Sequence, residues 1–187
     1  EVFAGGTFLE RGALLSSAGV VEMADNGIQL ILVDGTAAGF ILDFATNRYS
    51  QIVSEAFYGA DRVAYFDGFF VLNRPGTQQH YISSSRDGLA YDGLEFASKE
   101  SQPDALLALD VMRQELLLLG ARTGEVWFDA GLTDYPFAPV QGTTFPYGIA
   151  AVHTLRNMGQ FYWLGRDKDG QGIVLRLNGY APERIST

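Results

Sequence analysis

The feature that most constrains this chain is a repeated pair of apolar runs joined by a tight turn. Its clearest copy is Ile149 to Leu177, IAAVHTLRNMGQFYWLGRDKDGQGIVLRL, which reads as three short apolar strands. Asn157-Met158-Gly159 makes the first turn and Asp167-Lys168-Asp169-Gly170 the second. Asn, Asp and Gly tolerate the positive backbone angles that tight hairpins need. Phe161, Tyr162 and Trp163 between the turns favour a pleated, half-buried surface. The same unit recurs at GVVEMADNGIQLILVDG from Gly19, DRVAYFDGFFVLNRPG from Asp61 and ALLALDVMRQELLLLGARTG from Ala105. The first-turn anchors Gly27, Gly68, Gln114 and Gly159 lie about 41 to 46 residues apart, the period of one four-stranded propeller blade. An antiparallel sandwich also spaces its strands regularly; the repeats favour the propeller.

The expectation is therefore an all-β, propeller-like array of about four consecutive four-stranded antiparallel blades, as a complete or an incomplete ring. The blades span roughly 18–55, 59–100, 103–142 and 147–187, in a single domain 1–187. Residues 1–15 read as an outer strand of a preceding blade, with Thr7 to Leu9 following a Gly5-Gly6 turn. The third copy carries a local conflict. ALLALDVMRQELLLL has high helix propensity, and Pro103-Asp104 suits a helix start. Yet it stands where the other copies have a hairpin, and Glu125 to Phe128 follows at the third-strand position, so strands are expected.

Composition sets limits on function. Of 187 residues, 47% are hydrophobic and 19% charged, which marks a folded chain. No apolar run is long enough to span a bilayer as a helix. The opening EVFAGGTFLE lacks the basic region and apolar core of a signal peptide. It also lacks an initial Met, so a fragment or processed product is expected. Zero cysteines exclude disulfides, thiolate metal sites and cysteine nucleophiles. The net charge of −9, with Lys99 and Lys168 the only lysines, opposes strong direct binding to nucleic acid.

The chemistry-bearing residues read mostly as structural. Asp167-Lys168-Asp169-Gly170 resembles part of a calcium loop, but Gln171 and the lack of an acid before Glu183 favour a plain hairpin turn. His153 lies in an apolar run and reads as a hydrogen-bonded core residue; His80, at a third-strand position, is uninformative. Two isolated histidines make no metal signature. Ser83-Ser84-Ser85-Arg86-Asp87 lacks the elbow of a serine hydrolase. No P-loop or dinucleotide fingerprint is present. Asp61, Asp104 and Asp110 fall near strand starts, where sugar-cleaving propellers place their acids, though solvated surface is the commoner fate of such residues. The expected catalytic, cofactor-binding and metal sites are none.

MADNGIQLILVDG, DGFFVLNRPGTQQHYISS, GLEFASKESQPDALLALDVMRQELLLLGARTGEVWFDAG, PFAPVQG and YWLGRDKDGQGIVLRLNGYAPERIST, in that order, resemble the phage stabilisation protein family, typified by packaged-DNA stabilisation proteins of P22-like phages. The leucines of the third copy depart from that family's more mixed pattern. The resemblance implies a non-enzymatic tail-hub protein of the virion, made in the bacterial host cytoplasm. It would add below the portal, join portal-side and needle-side tail proteins, form a homo-oligomer, and help retain packaged DNA without a membrane or cofactor. The alternatives are a propeller enzyme acting on glycosides and a general protein-binding scaffold. Family members are longer, so this chain is expected to be a middle portion whose last blade is unfinished at Thr187. Its terminal blades would then expose apolar residues such as Phe8, Leu175 and Leu177 and self-associate through them.

Overall fold

A computed structural model describes residues 2–4, 7–99, 102–167 and 169–186. The first two strands, β1 (Val2–Ala4) and β2 (Thr7–Leu9), pair with each other. Thr7 to Leu9 thus has a partner strand in Val2–Ala4; the expected Gly5-Gly6 turn lies outside the described residues. Four four-stranded antiparallel sheets follow. Blade 1 is β3 (Glu22–Asp25), β4 (Gln29–Val33), β5 (Gly39–Asp43) and β6 (Tyr49–Gln51). Blade 2 is β7 (Val63–Phe66), β8 (Phe69–Asn73), β9 (Gln79–Ile82) and β10 (Phe96–Ser98). Blade 3 is β11 (Leu106–Met112), β12 (Glu115–Gly120), β13 (Gly124–Asp129) and β14 (Phe137–Pro139). Blade 4 is β15 (Arg156–Asn157), β16 (Phe161–Arg166), β17 (Gly172–Asn178) and β18 (Ala181–Arg184).

The hairpins close as their residues dictate. Asp67 and Gly68 both take positive φ, 43° and 95°, the pair of angles a two-residue β-turn requires. In blade 3 the positive angle falls on Arg113, at 59°, and not on its neighbour Gln114, the expected anchor.

ALLALDVMRQELLLL is a hairpin, and burial explains why its helix propensity loses. Leu116 and Leu118 enter a core shared with blade 2, while Leu117 and Leu119 enter a core shared with blade 4. A strand buried on both faces reads as one continuous apolar run, so its alternation is invisible in sequence. Blade 2 works the same way: Phe70 and Leu72 face blade 1, and Val71 faces blade 3.

Blade 4 departs from expectation at both ends. Ile149 to His153 is not a strand. Ile149 N–H donates to Gly120 in blade 3 (2.9 Å) and Ala150 N–H to Leu164 (2.7 Å). Those bonds turn the chain into a short 3-10 turn at Val152–Thr154, leaving β15 two residues long. Gly148, in the approach to this turn, lies so close to blade 3 that a Cβ there would sit 2.3 Å from the Ala121 carbonyl carbon. At the other end, β18 pairs with β17 and completes the four-stranded sheet, correcting the expectation of an unfinished blade. Leu175 and Leu177, expected on an exposed face, are 1% and 4% exposed in the core between blades 3 and 4. The side chain of Phe8 lies outside the described residues.

Candidate functional site

The first strand of each blade, β3, β7, β11 and β15, faces a common cavity of about 850 Å³. These strands meet in sequence order, β3 against β7, β7 against β11, and β11 against β15. Most of the lining is apolar, because each strand must also pack into its blade. The exceptions are titratable: Glu22 and Asp25 on β3, Arg62 just before β7, Asp110 on β11, and His153 and Arg156 at the start of blade 4.

Arg62 organises this group. It is 6% exposed, an expensive place for a cation unless its donors are used. Its guanidinium lies 3.8 Å from the Glu22 carboxylate in blade 1, and Nη2 lies 3.3 Å from His153 Nδ1 in blade 4. Nη1 also donates to the Asp61 carbonyl. Asn73 holds the backbone here, its Oδ1 accepting the N–H groups of Asp61 (3.2 Å) and Arg62 (2.9 Å). Nε of Arg62 is buried without a hydrogen-bond partner. One side chain therefore spans three blades at the axis.

Asp110 lies on the same wall. Burial pushes its carboxyl above the ordinary range; the Val111 N–H opposes this, the nearby Glu22 carboxylate adds to it, and Arg156 opposes it. Three carboxylates and two arginines thus share the cavity, one acid having a raised proton affinity.

The three expected acids have different fates. Only Asp110 reaches the axis cavity. Asp61 accepts from Asn73 Nδ2 at 2.7 Å and fixes the entry to blade 2. Asp104 is tied to the Lys99 ammonium (2.5 Å) and to the Thr123 hydroxyl (2.9 Å). Burial alone would raise its affinity for a proton, but Lys99, the Arg122 N–H and Thr123 outweigh that and hold the carboxyl low. Asp104 is a clamp between blades 2 and 3.

The core histidine is not the one expected from sequence. His153 is exposed on the 3-10 turn beside Arg62. His80 is the core histidine, fully buried on β9, with Nδ1 2.6 Å from the Tyr135 hydroxyl and its ring edge-on to Trp127 at 4.7 Å. Burial lowers its pKa to about 3, so the ring is neutral. The other motif residues serve the backbone. Asp167 Oδ1 accepts the N–H groups of Asp169 and Gln171, each at 2.9 Å; Lys168 lies outside the described residues. Ser83 Oγ accepts the Phe70 N–H at 3.0 Å, and Asp87 accepts from Leu89 at 3.0 Å. Among the described residues no group of three or more His, Cys, Asp or Glu side chains could hold a metal ion. Glu22, Arg62 and Arg156 were missed by the sequence reading. Glu22 carried a signal, a charge between Val21 and Met23 in the first strand of a repeat; Arg62 and Arg156, next to Asp61 and Asn157, did not stand out.

A family model described as "Bacteriophage P22 Gp10, beta-propeller" matches residues 6–187, nearly the whole chain. The chain belongs to this phage stabilisation family. That makes it a bacteriophage structural protein of the β-propeller class, as its resemblance implied. No curated protein sequence matches it. Among solved structures it is similar to the computationally designed Ika4 protein, with a TM-score of 0.50 and 16% identity over 92% of this chain and 100% of that one. It is also similar to BamB from Moraxella catarrhalis, with a TM-score of 0.51 and 12% identity over 90% of this chain and 60% of that one. Identities this low carry the fold alone.

Proposed function

We propose that this phage stabilisation protein is a non-enzymatic part of the virion tail, which adds below the portal and helps keep packaged DNA inside by joining tail components. The observation that carries this reading is the family match across residues 6–187. The chemistry agrees with a mechanical role. Most polar groups singled out by sequence, Asp61, Asp104, Ser83 and Asp167, are bound to the chain's own backbone or side chains and hold blades and turns in place. An acidic surface gains no counterion-release term from DNA, so retention would work by plugging and docking. The test uses phage particles that carry or lack the full-length protein. Filled heads that leak their DNA without it and hold it when it is added back support the reading. Particles that keep their genome equally well in its absence would overturn it.

A second reading has one specific observation in its favour. Asp110 and Glu22 share the axis cavity, and the raised proton affinity of Asp110 is what a general acid in a glycosidase needs. Glu22, however, is engaged by Arg62. Hydrolysis of glycosides that disappears in Asp110→Asn would establish the enzyme and displace the mechanical reading.

A further inference from the structure

A second concavity lies on the rim of the array, away from the axis. In a four-stranded antiparallel blade the first and third turns fall at the same end. Asp67 in the first turn of blade 2, Arg113 in the first turn of blade 3, Gly131 after β13 and Tyr180 in the last turn of blade 4 therefore lie on one rim. They border an open groove of about 1240 Å³. Three successive blades build it.

Apolar side chains make its floor and walls. Phe66 is buried at the floor. Phe128, 39% exposed, stands in register between Glu115 and Ala138, and neither covers its ring. Tyr180 is 45% exposed on the blade 4 side, and Pro139 and Val140 continue the lining along the outer strand of blade 3. Isolated exposed hydrophobics are ordinary, but a groove that gathers them marks a contact surface.

The charged residues of the groove are acidic in excess: Asp67, Glu115 and Asp129 accompany a single cation, Arg113. Tyr180 Oη donates to the Glu115 carboxylate and ties blade 4 to blade 3. The Asp67 and Asp129 carboxyls meet across the seam between blades 2 and 3. Hydrogen bonding to Asp129, then burial, then the Asp129 charge hold the Asp67 carboxyl above its ordinary range. Asp129 also accepts the Gly131 N–H at 2.7 Å. Among the described residues neither carboxyl forms an ion pair, with Arg113 or with any other cation. Two carboxylates this close repel each other unless a proton or a cation lies between them.

We propose that this groove docks an extended basic segment of another polypeptide, with an arginine or lysine set between Asp67 and Asp129 and an apolar neighbour covering Phe128 and Tyr180. Charge complementarity selects the occupant. The chain itself has 22 acidic residues against 13 Lys and Arg, so a second copy is a poor match, and nucleic acid meets the same negative wall. The groove is larger than the roughly 300–1,000 Å³ of small-molecule pockets and is open, which suits a polypeptide segment better than a compact ligand. The proposal rests on the groove rather than on the tail role proposed above. The test is fluorescence anisotropy of a short fluorescein-labelled peptide that alternates arginine with leucine. Saturable binding at physiological salt is expected, weakened about tenfold or more by Asp67→Asn/Asp129→Asn and also weakened by Phe128→Ser. Glu10→Gln/Glu55→Gln removes the same charge outside the groove and should leave binding unchanged. Asn tolerates the positive φ of 43° at position 67, so Asp67→Asn keeps its turn. Its thermal midpoint at neutral pH should rise as the repulsion is relieved. Absence of saturable binding, equal binding of a peptide with glutamate for arginine, full displacement by spermidine, equal losses in the two double variants, or an Asp67→Asn variant that melts no higher than wild type would overturn the proposal.

Discussion

His80 shows how much one buried side chain contributes to the pH response of this protein. The folded chain holds it neutral down to about pH 3, whereas an unfolded chain protonates it below its ordinary value of 6.5. Between those values the unfolded state binds the extra proton, so stability falls as pH falls through that window. His80→Phe removes the group. The variant is expected to lose about 1 kcal/mol at neutral pH, with the Tyr135 hydroxyl left unpaired. Its urea midpoint should then decline less steeply than wild type between pH 6.5 and 3. Parallel declines in the two proteins would remove His80 from the acid response. The sequence pointed to the wrong histidine because burial on a strand depends on the partner blade. Nothing local to Gln79-His80-Tyr81 announces Tyr135 and Trp127.

At the scale of elements, the β11–β12 hairpin carries two cores at once. Leu117→Ala opens a void between blades 3 and 4 and is expected to cost about 2–5 kcal/mol, read as a shift in denaturant midpoint. Leu164→Ala is at a half-buried position on the face of blade 4 turned away from blade 3 and is expected to cost about 1 kcal/mol. Equal losses would mean that the face of Leu164 is as well covered as the core. Gly148→Ala tests the seam between blades 3 and 4. A Cβ there meets backbone atoms of Ala121 and Arg122 and the Gly120 carbonyl oxygen. With no flexible side chain to yield, overpacking of about 1–3 kcal/mol is expected from thermal melts. The hairpins themselves were legible in sequence, since Asp67-Gly68 and Asn157-Met158-Gly159 prescribe turns whatever surrounds them. The first strand of blade 4 was not legible. Its apolar run is diverted by hydrogen bonds to Gly120 and Leu164, both distant in sequence.

For the whole molecule, the net charge of −9 governs behaviour toward DNA. Binding to duplex DNA at physiological salt is expected to be weaker than about micromolar, because an acidic chain displaces few counterions. A gel shift at lower concentration would contradict this and would direct attention to Arg156, Arg166 and Arg176 on blade 4. The array of four blades also places its charges unevenly. Glu22, Arg62, Asp110 and His153 gather at the axis, although they come from four separate repeats.

The sequence by itself determined the all-β architecture, the four hairpin units and the family, because turn residues and strand propensity act over a few residues and recur at a fixed period. Tertiary structure alone decided which face of each strand meets a neighbour, which histidine is buried, and that Asp110 reaches the axis while Asp61 and Asp104 do not. The group at the axis depends on side chains far apart in the chain, such as Arg62 and His153, separated by 91 positions. A strand buried on both sides has no periodic signal to reveal its partners.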